Sequence, residues 1–309
     1  MNNNNEHWLI IGAGAIGLLW YSKLIEYNFK ATLLHRNAKL LNKLIVEDGN
    51  IEKQYQLNEI SSLVSAAPSS SKTTTYQRVL FCTKSFDLEK AYIDNKHRIS
   101  SDAVLITLNN GMGAQQSLNT IKHSDQSLYI GTTNEGALKV NNNKIRRTGQ
   151  GDIFIGSLSD NMPPPAPFSQ FYTIDIEYKL LTKLAINAVI NPLTALFNIS
   201  NGQLLDESYL PYYRACRDEV CHLFKHYKID ETSLSQTIDQ VALKTSRNRS
   251  SMLQDFSQGR KTEIQYITGY LLQEATKVNL KLPIQSLLLD FIENKGDFFI
   301  QIKKLDKLI

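Results

Sequence analysis

The sequence predicts an α/β N-terminal domain built on a parallel sheet, followed by an all-α C-terminal domain. Three observations predict it. The chain has 309 residues, about twice the usual domain size. Its first half alternates short apolar or β-branched runs with helical segments, the signature of βαβ units. After about Glu177 the pattern is helical almost to the end. The division expected is 1–177 and 178–309.

The elements follow in order. His7–Ile11 is a short apolar run that leads into Gly12-Ala13-Gly14-Ala15-Ile16-Gly17 and a helical stretch to about Tyr27. Lys30–Leu34 reads as the second strand, with further strands at Arg78–Cys82 and Ala103–Leu108. Ser61–Thr75 is rich in Ser, Thr and Pro and reads as a surface loop. Asn141–Ser157 changes texture to Gly, Asn and short β-prone pieces. Residues 161–167, with four prolines, cannot continue a helix or an inner strand. One more strand fits at Phe171–Ile176.

Composition narrows the class of function. Hydrophobic residues make up 42% and charged residues 21%, as in ordinary globular proteins. Thirty-four basic against 30 acidic residues leave a net charge of +4, too balanced for a nucleic-acid binder. Cys82, Cys216 and Cys221 are too few for a disulfide framework and match no zinc spacing, so a reducing compartment is expected. The first residues are polar, the apolar run after them is too short for a signal peptide, and no run of about 18 apolar residues occurs. A cytoplasmic protein with no membrane partner is the expectation. His222 and His226 have metal spacing on one helix face, but lack a third ligand and read as a solvated face.

Gly12-x-Gly14-x-x-Gly17 directly follows a strand and opens a helix. The first glycine permits the tight turn, the second lets a pyrophosphate approach, and the third lets helix and strand pack closely. The helix N-terminus then offers oriented N–H groups to phosphates. The N-terminal domain is therefore expected to be of Rossmann type, with Gly12, Ala13, Gly14, Ala15, Ile16 and Gly17 at a dinucleotide. An NAD site would carry Asp or Glu at the end of the second strand. This chain carries His35-Arg36-Asn37, with Lys39 nearby, and Arg36 suits a 2′-phosphate. NADPH is the cofactor expected; the plain alternative is a solvated arginine. Lys84 and Asn110 leave the ends of two further strands, where doubly wound sheets bind ligands.

In the C-terminal half, Lys183, Asn187 and Asn191 fall at i, i+4 and i+8 of an otherwise apolar helix. A stripe of one lysine and two amides needs a polar partner. That partner is either a small polyfunctional substrate or a neighbouring helix, and spacing alone does not choose. Ser251 reads as a helix cap, and Glu263 as a surface carboxylate.

These residues resemble the ketopantoate reductase family. The resemblance is carried by GAGAIG at Gly12, Lys84, NNGMG at Asn109, GTTNEGA at Gly131 and RRTGQGDIFIG at Arg146. KLAINAVINPLTAL at Lys183, NGQL at Asn201 and SSMLQD…GRKTEIQYITGY at Ser250 complete it, and these last three are the specific ones. It implies reduction of 2-dehydropantoate to (R)-pantoate, with Lys183 as the general acid. It places Asn187, Asn191 and Asn201 on the substrate's polar groups, and Ser251 with the stretch from Asn248 on its carboxylate. Asn110 would touch cofactor and substrate, Lys84 and Ala137 the cofactor, and Glu263 the nicotinamide ribose and the substrate hydroxyl. The chain lacks the tryptophan common before the general acid, and its tail beyond Lys281 matches weakly. A small 2-oxo acid is the expected partner, for a monomer or homodimer. A reductase of another branched 2-oxo acid and a non-catalytic NADPH sensor are the competing readings. An intact Lys183, Asn187 and Glu263 speak against the sensor.

Overall fold

A computed structural model describes residues 7–36, 41–61, 75–159 and 161–309. The chain divides into two compact units. One comprises residues 1–109 and 114–179; the other comprises Asn110–Gly113 and Leu180–Ile309.

The first unit is an α/β domain. Its elements run β1 (His7–Ile11), α1 (Ala15–Glu26), β2 (Lys30–His35), β3 (Lys43–Asp48), β4 (Ile51–Gln56), β5 (Glu59–Ser61) and β6 (Tyr76–Phe81). They continue α2 (Leu88–Asn95), β7 (Ile99–Thr107), α3 (Ala114–Ile121), β8 (Ser127–Thr133), β9 (Gly136–Lys139), β10 (Lys144–Gly149) and β11 (Ile153–Gly156). Seven strands form one sheet in the order β11-β8-β7-β6-β1-β2-β5. All its pairings are parallel except that of β11 with β8. The central strands carry apolar runs, Trp8–Ile11 in β1 and Val79–Phe81 in β6, because both faces are covered there, as parallel sheets require. Strand order reverses between β1 and β6, the topological switch point at which such sheets bind ligands.

Four strands form a second sheet in the order β4-β3-β10-β9. β3 and β4 are a hairpin turning at Gly49, and β4 is largely exposed on its outer side. The core stacks Phe168 on Trp20 with ring centroids 4.6 Å apart, and Trp8 meets Phe168 edge-on at 4.7 Å. All three rings are fully buried, a large apolar contribution with favourable aromatic geometry.

The expected strand at Phe171–Ile176 does not form. Tyr172 makes only an isolated bridge to Ile155, and the chain enters a helix at Ile176. With prolines before it and a helix after it, this stretch has no room to pair. The Ser/Thr-rich segment falls mostly on residues 62–74, outside the described residues, as do Asn37 and Lys39.

The second unit is all-helical. α4 (Ile176–Phe197) enters it, followed by α5 (Leu210–Phe224), α6 (Glu231–Lys244), α7 (Ser251–Ser257), α8 (Tyr270–Lys277), α9 (Pro283–Asn294) and α10 (Phe298–Leu305). A π-helical turn, Gln265–Gly269, precedes α8. By length and composition α4 is apolar enough to cross a membrane, but 72% of its most apolar window is buried inside the protein.

α4 also contains Pro192, which cannot donate to the carbonyl of Ala188. Gln285 of α9, fully buried, supplies the missing donor: its Nε2 lies 3.1 Å from Ala188 O. The Glu219 carboxylate of α5 in turn accepts from Ile284 N at 3.0 Å and Gln285 N at 2.8 Å, holding the first turn of α9. The helix that carries the polar stripe is thus fixed by a partner about a hundred residues away in sequence.

Candidate active site

At the switch point the glycine turn has the shape its spacing predicts. Gly12 takes φ +115°, and a Cβ there would stand 2.8 Å from the Cys82 carbonyl carbon. A Cβ on Gly17 would stand 1.9 Å from Gly12 O, so helix and turn touch as backbone. Gly14 differs. A Cβ there would meet only Cys82 O at 4.0 Å, which leaves open space in front of the first turn of α1. Ala13, Ala15 and Ile16 complete the turn, and Ala13 and Ile16 pack on the core beneath it.

Beside this turn, at the carboxyl ends of β6 and β7, Thr83 Oγ1 and Asn109 Oδ1 are buried with no hydrogen-bond partner among the described residues. Asn109 Nδ2 donates to Thr83 O, fixing one loop against the other. Orphaned buried acceptors and donors are costly unless a ligand satisfies them. Open space at Gly14, a helix N-terminus and two unsatisfied polar atoms together fit a dinucleotide's diphosphate and ribose. Lys84 is half-buried on the same loop as Thr83. Ala137 of β9 is partly buried against the core, and two residues on, Lys139 Nζ donates to Ala13 O at 3.0 Å. Burial lowers the Lys139 pKa. Arg36, the first residue past β2, is exposed and pairs with Asp87 at 2.9 Å.

In the helical unit, α4 runs unbroken through Lys183, Asn187 and Asn191, so the three do share one face. Asn191 is buried, and Lys183 and Asn187 are half-buried. Dense surroundings strip water from the Lys183 ammonium and lower its pKa to about 8, with the Glu263 carboxylate opposing the shift. Glu263 is 5% exposed and so is no surface carboxylate. Its Oε2 accepts from Asn110 Nδ2 at 3.3 Å. Lys183, Glu263 and Asn110 therefore form one cluster, though the sequence separates them by up to 153 positions.

The loop bearing Asn110 is held by the π-helical turn. Met112 N donates to Tyr266 O at 2.8 Å, and Gly111, at φ +74°, lies so close that a Cβ would stand 2.2 Å from that same oxygen. A π-turn widens the helix and is common at functional sites. Sequence reasoning misses Tyr266, for which the glycine in NNGMG that lies against it is the available signal.

The remaining predicted residues divide. Asn201 is buried; its Nδ2 donates to Thr245 Oγ1 at 2.9 Å, while its Oδ1 has no partner among the described residues. Its backbone N–H donates to Asn248 O at 2.9 Å, and Asn248 itself is exposed. The helix cap is Ser250 and not Ser251: Ser250 Oγ accepts from Leu253 N at 3.0 Å and lies 2.8 Å from Thr194 Oγ1 on α4. Ser251 is the first residue of α7, with its side chain exposed. His222 faces Glu231 at 3.7 Å, and no cluster of three metal-ligating side chains occurs among the described residues.

Comparison with known proteins identifies the family. A family model described as "Ketopantoate reductase PanE/ApbA" matches residues 8–160, and one described as "Ketopantoate reductase PanE/ApbA C terminal" matches residues 175–296. The 2-dehydropantoate 2-reductase of Bacillus subtilis is 31% identical over 278 residues, covering 86% of this chain and 90% of the relative. That of Vibrio cholerae is 27% identical over 296 residues, covering 91% and 94%. The crystal structure of a probable 2-dehydropantoate 2-reductase from Bacillus subtilis superposes with a TM-score of 0.75 at 26% identity, covering 94% of this chain and all of that one. A D-mandelate dehydrogenase solved with NADH and anilino(oxo)acetate reaches a TM-score of 0.80 at 19% identity, covering 97% and 99%, a likeness of fold alone.

Proposed function

Since the chain belongs to the ketopantoate reductase family, we propose that it reduces 2-dehydropantoate to (R)-pantoate with NADPH, a step toward pantothenate and coenzyme A. One observation carries the reading. A lysine with its pKa lowered to about 8 stands on one helix face with two amides and within electrostatic reach of a buried carboxylate.

Bound NADPH supplies the hydride that adds to the ketone carbon. As it arrives, negative charge develops on the ketone oxygen, and a proton placed there lowers the barrier. Lys183 Nζ gives that proton. Its lowered pKa makes the transfer easier near neutrality than an ordinary lysine would. Asn187 and Asn191 on the same face take the substrate's polar groups, and Asn201 Oδ1, without a partner among the described residues, accepts from a substrate hydroxyl. Ser251 and the exposed Asn248 stretch hold the carboxylate from the other side. Glu263 keeps the ammonium charged until the proton is needed, and its hydrogen bond to Asn110 fixes the carboxylate's direction. Glu263 and Asn110 also reach the cofactor's ribose.

The cofactor is read as NADPH and not NADH because Arg36 stands where an NAD site carries an acidic residue. The Gly12–Gly17 turn takes the diphosphate, and Lys84 and Ala137 flank it. Three free cysteines, two of them buried with thiol pKa values pushed up by burial, suit a reducing cytoplasm.

The test is NADPH oxidation by the purified protein with 2-dehydropantoate and a panel of other branched 2-oxo acids. The reading expects the highest kcat/KM on 2-dehydropantoate. A hundredfold preference for another acid would remove it.

A further inference from the structure

We propose that Asp87 sets the cofactor preference by occupying Arg36 in place of a ribose 2′-phosphate, so that it limits the advantage of NADPH over NADH. The proposal rests on the reading that Arg36 receives that phosphate.

Two features define the setting of this pair. Asp87 stands at the N-cap of α2, where an aspartate ordinarily accepts from an N–H of the first helical turn. It makes no such cap, and Oδ1 lies 2.9 Å from Arg36 Nη2. Asp87 ends the turn Ser85–Asp87 with helical backbone angles, φ −101° and ψ −11°, so it is not placed to cap α2 and its carboxylate is left to the arginine.

The second feature is the anchoring of the backbone from which Arg36 rises. Glu59 of β5 holds the residue just before Arg36. His35 Nε2 lies 2.9 Å from Glu59 Oε2, and Leu41 N and Asn42 N each donate to Glu59 Oε1 at 2.5 Å. β5 is itself paired with β2 through Leu33, Leu34 and His35. The strand end that leads into Arg36 is thus tied to a buried carboxylate, and the guanidinium changes partner by rotating the side chain.

The guanidinium is a planar fork with five donors, and a phosphate dianion competes with Asp87 for them. Whether the phosphate displaces the carboxylate or shares the fork, it meets a like charge beside it. Arg36 is largely exposed, so water screens the effect, and an exposed pair of this kind is worth about two- to fivefold in an equilibrium constant.

Fluorescence titration of the full-length protein with NADPH and with NADH tests this, because it reads binding without turnover. Asp87→Asn is expected to tighten NADPH about two- to fivefold and to leave NADH within error, with the gain shrinking as salt is raised. Asp87→Glu, which keeps the charge, is expected to return the parent ratio. NADPH binding that is unchanged or weaker in Asp87→Asn overturns the proposal, since Asp87 would then be inert or would orient Arg36 for the phosphate. Arg36→Ala separates this from the underlying reading. Equal losses for the two dinucleotides would sink the phosphate role of Arg36 itself, whereas a selective loss of NADPH keeps that role and leaves Asp87 to be judged alone.

Discussion

If Lys183 is the proton donor, reduction should fail in alkali well before an ordinary lysine titrates. Its pKa of about 8 implies that about 90% of the enzyme carries the proton at pH 7 and about 10% at pH 9. The sign follows from the role: the acid must be protonated, so the rate is full below the pKa and falls above it. Reductive kcat/KM should therefore drop about tenfold between pH 7 and pH 9, where a lysine at its usual value would lose only about 3%. Glu263 opposes the downward shift, so Glu263→Gln should move the break to lower pH, while its amide oxygen can still accept from Asn110. Lys183→Arg keeps the charge on a group that does not titrate below about pH 12, so whatever activity remains should show no alkaline fall. Steady-state kcat/KM at constant ionic strength over roughly pH 6–10 reads all three proteins. A flat profile through pH 10 in the parent, or an upward move of the break in Glu263→Gln, would refute the reasoning.

The glycine turn supplies a contrast between two single methyl groups. Gly17→Ala puts a Cβ against Gly12 O and should lower Tm and abolish NADPH binding, whereas Gly14→Ala meets open space and should keep the parent Tm while weakening NADPH in titration. Gln285→Leu removes the amide donor to the buried Ala188 carbonyl of α4, leaving it the weak Cys216 thiol at 4.0 Å, so urea unfolding should show a loss of about 1–3 kcal/mol. Ser250→Ala removes the α7 cap and its contact to Thr194 and should cost about 1 kcal/mol in the same assay. Ser251→Ala should leave stability unchanged and raise KM for the oxo acid, because that side chain is exposed.

The parts of the fold that local pattern dictates were legible. The β1–turn–α1 unit, β2 and the carboxyl-terminal parts of β6 and β7, Val79–Phe81 and Ala103–Ile106, show as apolar runs because both faces of the sheet are covered there. Of the second sheet, β10 falls in the β-prone stretch Asn141–Ser157, but β3, β4 and β9 are not legible, since β4 is largely exposed and β9 is only four residues long, leaving little periodicity to detect. The lysine and amide stripe was readable because helical spacing places i, i+4 and i+8 on one face. Its choice between substrate and helix partner was not, because burial of Glu263 and its approach to Asn110 are tertiary facts. Pro192 announced a carbonyl in need of a donor, but nothing local pointed to Gln285. Ser250 and Ser251 are adjacent and chemically alike, and only the geometry of α7 decides which one caps it.

The most direct measurement is the turnover of Lys183→Ala set beside its NADPH affinity. The account predicts that NADPH still binds with parent affinity while kcat on 2-dehydropantoate falls roughly 10²–10⁴-fold, the range for loss of a general acid. Reduction at the parent rate by that variant would contradict it.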